Sequence, residues 1–179
     1  MKNKNKGITV VNLLILIMVG TLSIFGGYMG ITTMISNNKK DQFINASKEY
    51  VEGAKQQLLS EDVMPSNDHA VIVPYTEIRL SNTYNSPYTN EAFTEDYSYV
   101  IILKKDDIYK YYVTQIDSKG NCMNLIDYDE INNFSNKNRK HVVNDNSCNI
   151  ESVLLVGPDF QFKNVNLGEN IKFSKYQNR

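Results

Sequence analysis

The residue types that most often carry chemistry are sparse and scattered in this chain of 179 residues. The two histidines, His69 and His141, stand in polar, loop-like text, which indicates solvated surface rather than a catalytic base. Carboxylates cluster at 106–107 and 127–130 and offer the oxygen ligands that calcium prefers, but neither run has the spacing of a calcium loop. The sequence also lacks a phosphate-binding loop and a nucleophile elbow. We therefore expect a protein that is not an enzyme and that uses no metal or cofactor.

A run of aromatic residues, Tyr109, Tyr111 and Tyr112 with Lys110 between them, has the composition of a surface that stacks nucleic-acid bases. Alternation, however, places Tyr109 and Tyr111 on one face of a strand and Lys110 and Tyr112 on the other. That pattern favours core and cross-strand packing, so no direct nucleic-acid partner is predicted.

The element with the clearest role is an uncharged run between Lys6 and Lys39, which follows a short basic leader. A secretory signal peptide has a shorter apolar core and ends at a small-residue cleavage site, and this run has neither property. From Ile8 to Ile35 a helix would measure about 42 Å, enough for a hydrocarbon core of about 30 Å. Residues 1–40 carry a charge of +5 and the rest −6, so the positive-inside rule places the N-terminus in the cytoplasm.

The helical pattern continues past Lys39 and becomes amphipathic. Apolar residues recur at steps of three and four from Phe43 to Leu58, and charged residues fall mostly on the other faces. Pro65 marks a point at which the chain has left the helix. One continuous helix is predicted from about Ile8 to Leu59.

The remaining chain reads as a small β-rich head. Residues 98–103 and 108–116 are the clearest strands, and the turn at 104–107 joins them in a hairpin. A second turn at 117–121 leads into a third antiparallel strand at 122–126. Residues 71–75 read as a connecting loop with a short strand or helical turn. A further strand or hairpin is expected near the C-terminus, at 153–156 and 160–162.

The N-terminal text resembles the type IV pilins and pseudopilins. Gly7 matches the residue before their leader cleavage site, residues 8–11 match the first mature positions, and residues 13–17 match the apolar run. The resemblance implies that a prepilin peptidase cuts after Gly7 and exposes Ile8 as the new N-terminus, which can then be methylated. The text at 86–88 and 97–100 is also similar to Gram-positive prepilin-like proteins.

Asn12 departs from the family pattern, because most members carry Glu at this position. That Glu is thought to pair with the charged N-terminus of a neighbouring subunit during assembly. An amide keeps the hydrogen bonds but loses the charge, as in some minor and tip subunits. The resemblance, with this departure, favours a minor subunit from a Gram-positive-like bacterium.

Cys122 and Cys148 are the only cysteines, and both lie in the part expected outside the cytoplasm. An even count there favours a disulfide, which would close a loop of about 27 residues and contribute roughly 3 kcal/mol. The resemblance implies the same, since pilin heads often pin a C-terminal loop in this way. Two free thiols are the alternative. A zinc site is not expected, because no close cysteine pair exists to organise it.

These observations predict an α+β, pilin-like fold, in which a long N-terminal helix packs on a small antiparallel sheet. The expected regions are a leader at 1–7, a membrane or filament-core helix at 8–36, its amphipathic continuation at 37–62 and an exported head at 63–179. The resemblance implies a single-pass membrane protein with an extracellular head that joins a pilus or pseudopilus. Its partners would be other pilin subunits, the prepilin peptidase and the lipid bilayer. The alternative is an unprocessed, membrane-anchored binding or sensor domain.

Overall fold

The computed structural model describes residues 10–61, 65–66, 69–133, 143 and 172–176, with backbone alone at 10–13, 20, 22–27, 60–61 and 172–173. The chain divides into two compact units, Met1–Asn38 and Lys39–Arg179. The elements in chain order are α1 (Val10–Glu61), β1 (His69–Pro74), a 3-10 turn (Tyr75–Glu77), β2 (Tyr99–Lys105), β3 (Ile108–Ile116), β4 (Cys122–Asp127), α2 (Tyr128–Asn132) and β5 (Lys172–Lys175). The predicted combination of one long helix with a sheet is therefore confirmed.

The sheet has five strands in the order β4-β3-β2-β1-β5. Neighbours from β4 to β1 are antiparallel, but β5 runs parallel to β1. The prediction of a purely antiparallel sheet was therefore wrong. Turn residues predict a hairpin because its two strands are neighbours in the sequence. β5 instead pairs with a strand about 100 residues away, and no turn joins the two, so no local pattern predicts this pair.

The hairpin between β2 and β3 is tighter than its sequence suggests. Lys105 pairs with Ile108, so only Asp106 and Asp107 form the loop. Both have positive φ, 51° and 63°, as a type I′ turn requires. Aspartate tolerates this backbone region better than most residues, which explains why two acids occupy the turn.

The two faces of the sheet are both apolar. On the first, side chains of α1 pack with alternate residues of the strands, and Tyr109 and Tyr111 border this cluster. Buried residues of this first face include Phe43, Tyr50, Val51, Ala54, Leu58, Val71, Val73, Val100, Ile102, Val113 and Met123. On the second face Ala70, Ile72, Tyr99, Ile101 and Leu103 are buried, with Tyr112 against them. The predicted alternation of the β3 tyrosines is thus confirmed.

The segment at 71–75, read from sequence as a connecting loop with a short strand or helical turn, is mostly a core strand, so the short strand is confirmed and the connecting loop is wrong. β1 lies between β2 and β5, and every residue from Ala70 to Pro74 is buried. The expectation of a helical turn holds only for the 3-10 turn that begins at Tyr75. Pro74 misled the interpretation, because proline is disfavoured inside strands but is tolerated at a strand end. The expected strands at 153–156 and 160–162 lie outside the described residues.

Candidate functional site: the long helix

The described part of α1 in the first unit presents apolar side chains on every side. Leu14 to Val19 are six consecutive exposed residues, and at 3.6 residues per turn six positions surround the helix. The exposed apolar residues of this unit are Leu14, Ile15, Leu16, Ile17, Met18, Val19, Tyr28, Met29, Ile31, Met34 and Ile35, at 53–74% exposure. Over the residues that the structure describes, no helical stretch is both long and apolar enough to cross a membrane.

Threonine hydroxyls in this stretch are satisfied within the helix. Thr21 Oγ1 donates to the Met18 carbonyl at 2.9 Å, and Thr33 Oγ1 donates to the Met29 carbonyl at 2.8 Å. Thr32 Oγ1 donates to the same Met29 carbonyl at 3.0 Å. Such bonds let a hydroxyl enter an apolar environment at low cost.

The residues predicted for processing and assembly lie at the start of this region. Gly7 and Ile8 are outside the described residues. Asn12 belongs to α1, and its backbone is helical. Their predicted roles therefore stay predictions.

In the second unit, α1 packs through an aromatic cluster. The ring of Tyr50 stacks on that of Tyr75, with centroids 3.6 Å apart and planes 11° from parallel. Phe93 meets Phe43, Tyr50 and Tyr75 edge to face. Burial, together with repulsion from Tyr50, raises the pKa of Tyr75 well above its ordinary value. The Tyr75 hydroxyl therefore stays protonated and acts as a donor.

That hydroxyl begins a buried polar chain that reaches the helix backbone. Tyr75 Oη donates to Gln115 Oε1 at 2.8 Å, and Gln115 Nε2 donates to the Phe43 carbonyl at 2.9 Å. Gln115 is fully buried in β3. Because a buried amide is costly unless its hydrogen bonds are made, this pair ties β3 to one position on α1.

A second polar attachment lies near the C-terminal end of α1. Gln57 Nε2 donates to the Glu77 carbonyl at 2.8 Å, and the Arg79 N–H donates to Gln57 Oε1 at 3.1 Å. The side-chain amide thus pairs with the loop backbone much as a neighbouring strand would. Sequence reasoning missed Gln57 and Gln115, because a glutamine beside apolar positions reads as ordinary surface.

Gly53 lets the same loop approach the helix. A Cβ at this position would lie 2.6 Å from Leu80 Cδ2 and 2.7 Å from Ile78 Cγ2. Both distances are shorter than real Cβ contacts, so only glycine fits without movement of the Leu80 and Ile78 side chains. A glycine in the middle of a helix is the signal that could have indicated this contact.

A third attachment joins α1 to α2. Tyr128 Oη donates to Glu52 Oε1 at 2.5 Å, and Lys55 Nζ donates to the same oxygen at 2.8 Å. Lys55 Nζ also lies over the rings of Tyr128 and Tyr111, 4.0 and 4.6 Å from their centroids. Burial and the bond to Glu52 raise the pKa of Tyr128. Partial burial opposes ionisation of Glu52, but the bonds from Lys55 and Tyr128 outweigh it and lower the pKa of the Glu52 carboxyl.

Three of the five carboxylates considered for calcium have other partners. Asp107 pairs with Lys104 and Asp129 with Lys110, each at 2.7 Å, while Asp127 Oδ1 accepts the Asp129 N–H that begins α2. Within the described residues no group of three or more metal-ligating side chains occurs. His69 Nε2 lies 2.8 Å from Ser174 Oγ, a cross-strand contact between β1 and β5. His141 lies outside the described residues.

The turn between β3 and β4 is organised by a buried carboxylate. Ser86 Oγ and Asn121 Nδ2 donate to Asp117 Oδ2 at 2.6 and 2.9 Å. The N–H groups of Lys119 and Asn121 donate to Oδ1 at 2.9 and 3.0 Å. With both oxygens satisfied, Asp117 is a structural residue that holds the loop at Ser86 against the turn, which confirms the turn predicted at 117–121.

Cys122, at the start of β4, is buried and disulfide-bonded. Cys148, the only other cysteine of the chain, lies outside the described residues. Within one chain Cys148 is the partner available to Cys122, and their pairing stays a prediction.

Two cavities of the described head are smaller than a usual ligand pocket. One of about 200 Å³ is lined by Gly53, Gln56, Gln57 and Arg79, and one of about 40 Å³ lies between Lys55, Leu58 and the rings of Tyr109 and Tyr111. A ligand pocket usually has about 300 Å³ or more, so neither cavity fits a small-molecule substrate.

No family model, curated protein or solved structure matches this chain.

Proposed function

We propose that this chain is a structural subunit, and a minor one, of a type IV pilus or of a secretion or competence pseudopilus. The observation that carries the proposal is the division of α1. Its described residues before Lys39 expose apolar side chains all round, whereas those after Lys39 bury one face against a sheet. An apolar helix surface that the described residues leave exposed needs lipid or other helices around it.

In this proposal, a prepilin peptidase removes the leader after Gly7, and the protein waits in the membrane with its head outside the cell. The apolar stretch of α1 then leaves the bilayer and packs with the same stretch of other subunits. The uncharged run between Lys6 and Lys39 supports the exchange, since no ionised side chain has to be moved between the two environments.

Mass spectrometry of the mature N-terminus tests the proposal. In cells with an active prepilin peptidase the protein should begin at Ile8, and Gly7→Val should keep the leader while membrane insertion continues. A wild-type protein that retains residues 1–7 would support the membrane-anchored binding or sensor domain instead.

The minor role rests on Asn12. In an apolar filament core a carboxylate is tolerated only when paired, and a neighbour's charged N-terminus is the available partner. A subunit with Asn at this position gains nothing from that pair. The protein should therefore polymerise poorly by itself and be sparse beside a partner pilin that carries Glu. Asn12→Glu should improve incorporation along the shaft, and abundant homopolymers of the wild type would exclude the minor role.

A further inference from the structure

We propose that the second-unit part of α1 is locked in one axial register, so that a pull along the helix is passed to the sheet and not relieved by sliding. We call the group Gly53, Gln57, Gln115 and the Glu52–Tyr128 pair the register lock. The source of the pull, a neighbouring subunit in a filament, rests on the proposed function. The lock itself rests only on contacts within the head.

Apolar packing alone does not define the register of this helix. The buried face repeats every three or four residues, and hydrophobic contact has no preferred direction. Shifts of one helical turn, about 5.4 Å, are a known type of rearrangement between packed elements. A stripe of this kind therefore permits neighbouring registers unless something else excludes them.

Gly53 opposes these neighbouring registers of α1 sterically. The methyl groups of Leu80 and Ile78 occupy the space in which a Cβ would sit. A shift of three or four residues in either direction would bring a larger residue there. The residues concerned are Glu49, Tyr50, Gln56 and Gln57. Each has a Cβ that would meet the same two methyl groups, so a shifted helix fits only if the Leu80 and Ile78 side chains move.

The Gln57 amide excludes the same shifts by its hydrogen bonds. A displaced helix would present Gly53, Ala54, Ser60 or Glu61 to the Glu77 carbonyl and the Arg79 N–H. None of these residues has an amide that can donate to the one group and accept from the other. The loop would lose both bonds at once, which is unfavourable because the Gln57 side chain itself is buried and the two bonds are partly buried.

The attachments are spread along the helix and reach different elements. On α1 the attachment points are Phe43, Glu52 and Gln57. Phe43 is bonded by Gln115 of β3, Glu52 by Tyr128 of α2, and Gln57 by the loop after the 3-10 turn. At 1.5 Å per residue these points extend over about 21 Å of α1. An axial pull is therefore shared by bonds to three parts of the head.

The test is a constant-force measurement on the full chain in detergent micelles, with clickable side chains introduced at the exposed positions Asn38 and Lys105. Tyr128→Phe and Gln57→Leu each remove attachments of α1. The matched control is Ser86→Ala, which also deletes one hydroxyl that donates to a carboxylate, that of Asp117. Ser86 Oγ also accepts the Tyr88 N–H, so its link to α1 is indirect, through the Tyr88 ring on Phe43. Urea unfolding of each variant is measured in parallel.

Tyr128→Phe should shorten the time for which α1 stays attached under load about tenfold, which corresponds to about 1.4 kcal/mol. Gln57→Leu should act in the same direction. Ser86→Ala should lower the urea midpoint by a similar amount but leave the loaded lifetime within about twofold of the wild type. Equal shortening by Ser86→Ala, or an unchanged lifetime in Tyr128→Phe, would overturn the lock.

If Gln57→Leu does not fold, Tyr128→Phe decides the matter, because Tyr128 Oη meets a partly exposed glutamate. Leader processing plays no part in this measurement. An unprocessed N-terminus would remove the filament as the source of load and leave the lock in place, so the two proposals fail separately.

Discussion

The two stretches of α1, before and after Lys39, share one secondary structure and differ in almost everything else. Between Val10 and Asn38 the described apolar side chains are exposed on all sides, whereas between Lys39 and Glu61 most apolar residues form a single buried face. The first stretch has no charged residue, and the second carries lysines and acids mostly on its other faces.

The difference shows that a helix can be stabilised in two ways within one chain. In the second stretch the free energy comes from packing on the sheet, as it does for most helices of soluble proteins. In the first stretch the described apolar side chains are exposed, and Thr21 and Thr33 bond to their own helix. In the proposed function, lipid or neighbouring helices would cover that exposed surface.

The largest effect is expected from placing one lysine in each stretch. Val51→Lys puts an ammonium group into a core position with no exposed surface, so it should lower the free energy of unfolding of the head by about 4 kcal/mol or more. Ile17→Lys, at an exposed position, should change it by less than about 0.5 kcal/mol. Near-ultraviolet circular dichroism of the tyrosines during urea unfolding reports both. Equal destabilisation by the two lysines would contradict the division of the helix.

The next effect concerns the predicted disulfide, which lies in the second unit only. Replacing Cys122 and Cys148 together by Ser should lower the stability of the head by about 3 kcal/mol, because the unfolded chain gains the freedom of an open loop. The helicity of the first stretch should not change. Thiol labelling of native, unreduced protein is the direct check, and two reactive cysteines would rule out the pairing.

A pair of glycine substitutions separates the cost of a steric collision from the gain in helix propensity. Gly53→Ala should lower local stability by roughly 1–2 kcal/mol, since the collision with Leu80 and Ile78 outweighs a helix-propensity gain of about 1 kcal/mol. Gly30→Ala meets no atom within 4 Å and should keep that gain. Amide hydrogen exchange, followed separately in each stretch, measures both. Slower exchange around the substituted position in Gly53→Ala would mean that the loop yields easily.

The smallest expected effect is on the free energy of unfolding of the head at alkaline pH. Below about pH 10, Tyr75 is protonated in both the folded and the unfolded chain, so it adds no pH dependence. Above that pH only the unfolded chain loses the proton, because the pKa of buried Tyr75 is raised. Stability should then fall by at most about 1.4 kcal/mol per pH unit for each such tyrosine.

Tyr75→Phe should flatten this dependence, whatever it does to the stability at neutral pH. Urea titrations of wild type and variant between about pH 9 and pH 12, on either side of the ordinary tyrosine pKa, supply the slopes. Parallel slopes would show that Tyr75 ionises in the folded head as readily as in the unfolded chain.

Local patterns predicted much of the fold. The step of three and four from Phe43 to Leu58 indicated the buried face of α1, and the helix ends at Glu61, two residues beyond the expected Leu59. The hairpin and the third strand also follow from alternation and turn residues. The predicted assembly residues, Gly7, Ile8 and Asn12, are of another kind, since they rest on a resemblance that the geometry of the head does not address.

The sequence by itself determined the long helix, its change of character at Lys39 and the antiparallel hairpins, because periodicity and turn chemistry act over a few residues. Only the tertiary structure decided that β1 is a core strand, that β5 runs parallel beside it, and that Gly53, Gln57 and Gln115 hold α1 in place. The physical reason is distance along the chain. Each of these features needs a partner about 20 to 100 residues away, and a partner of that kind leaves no mark in the local pattern.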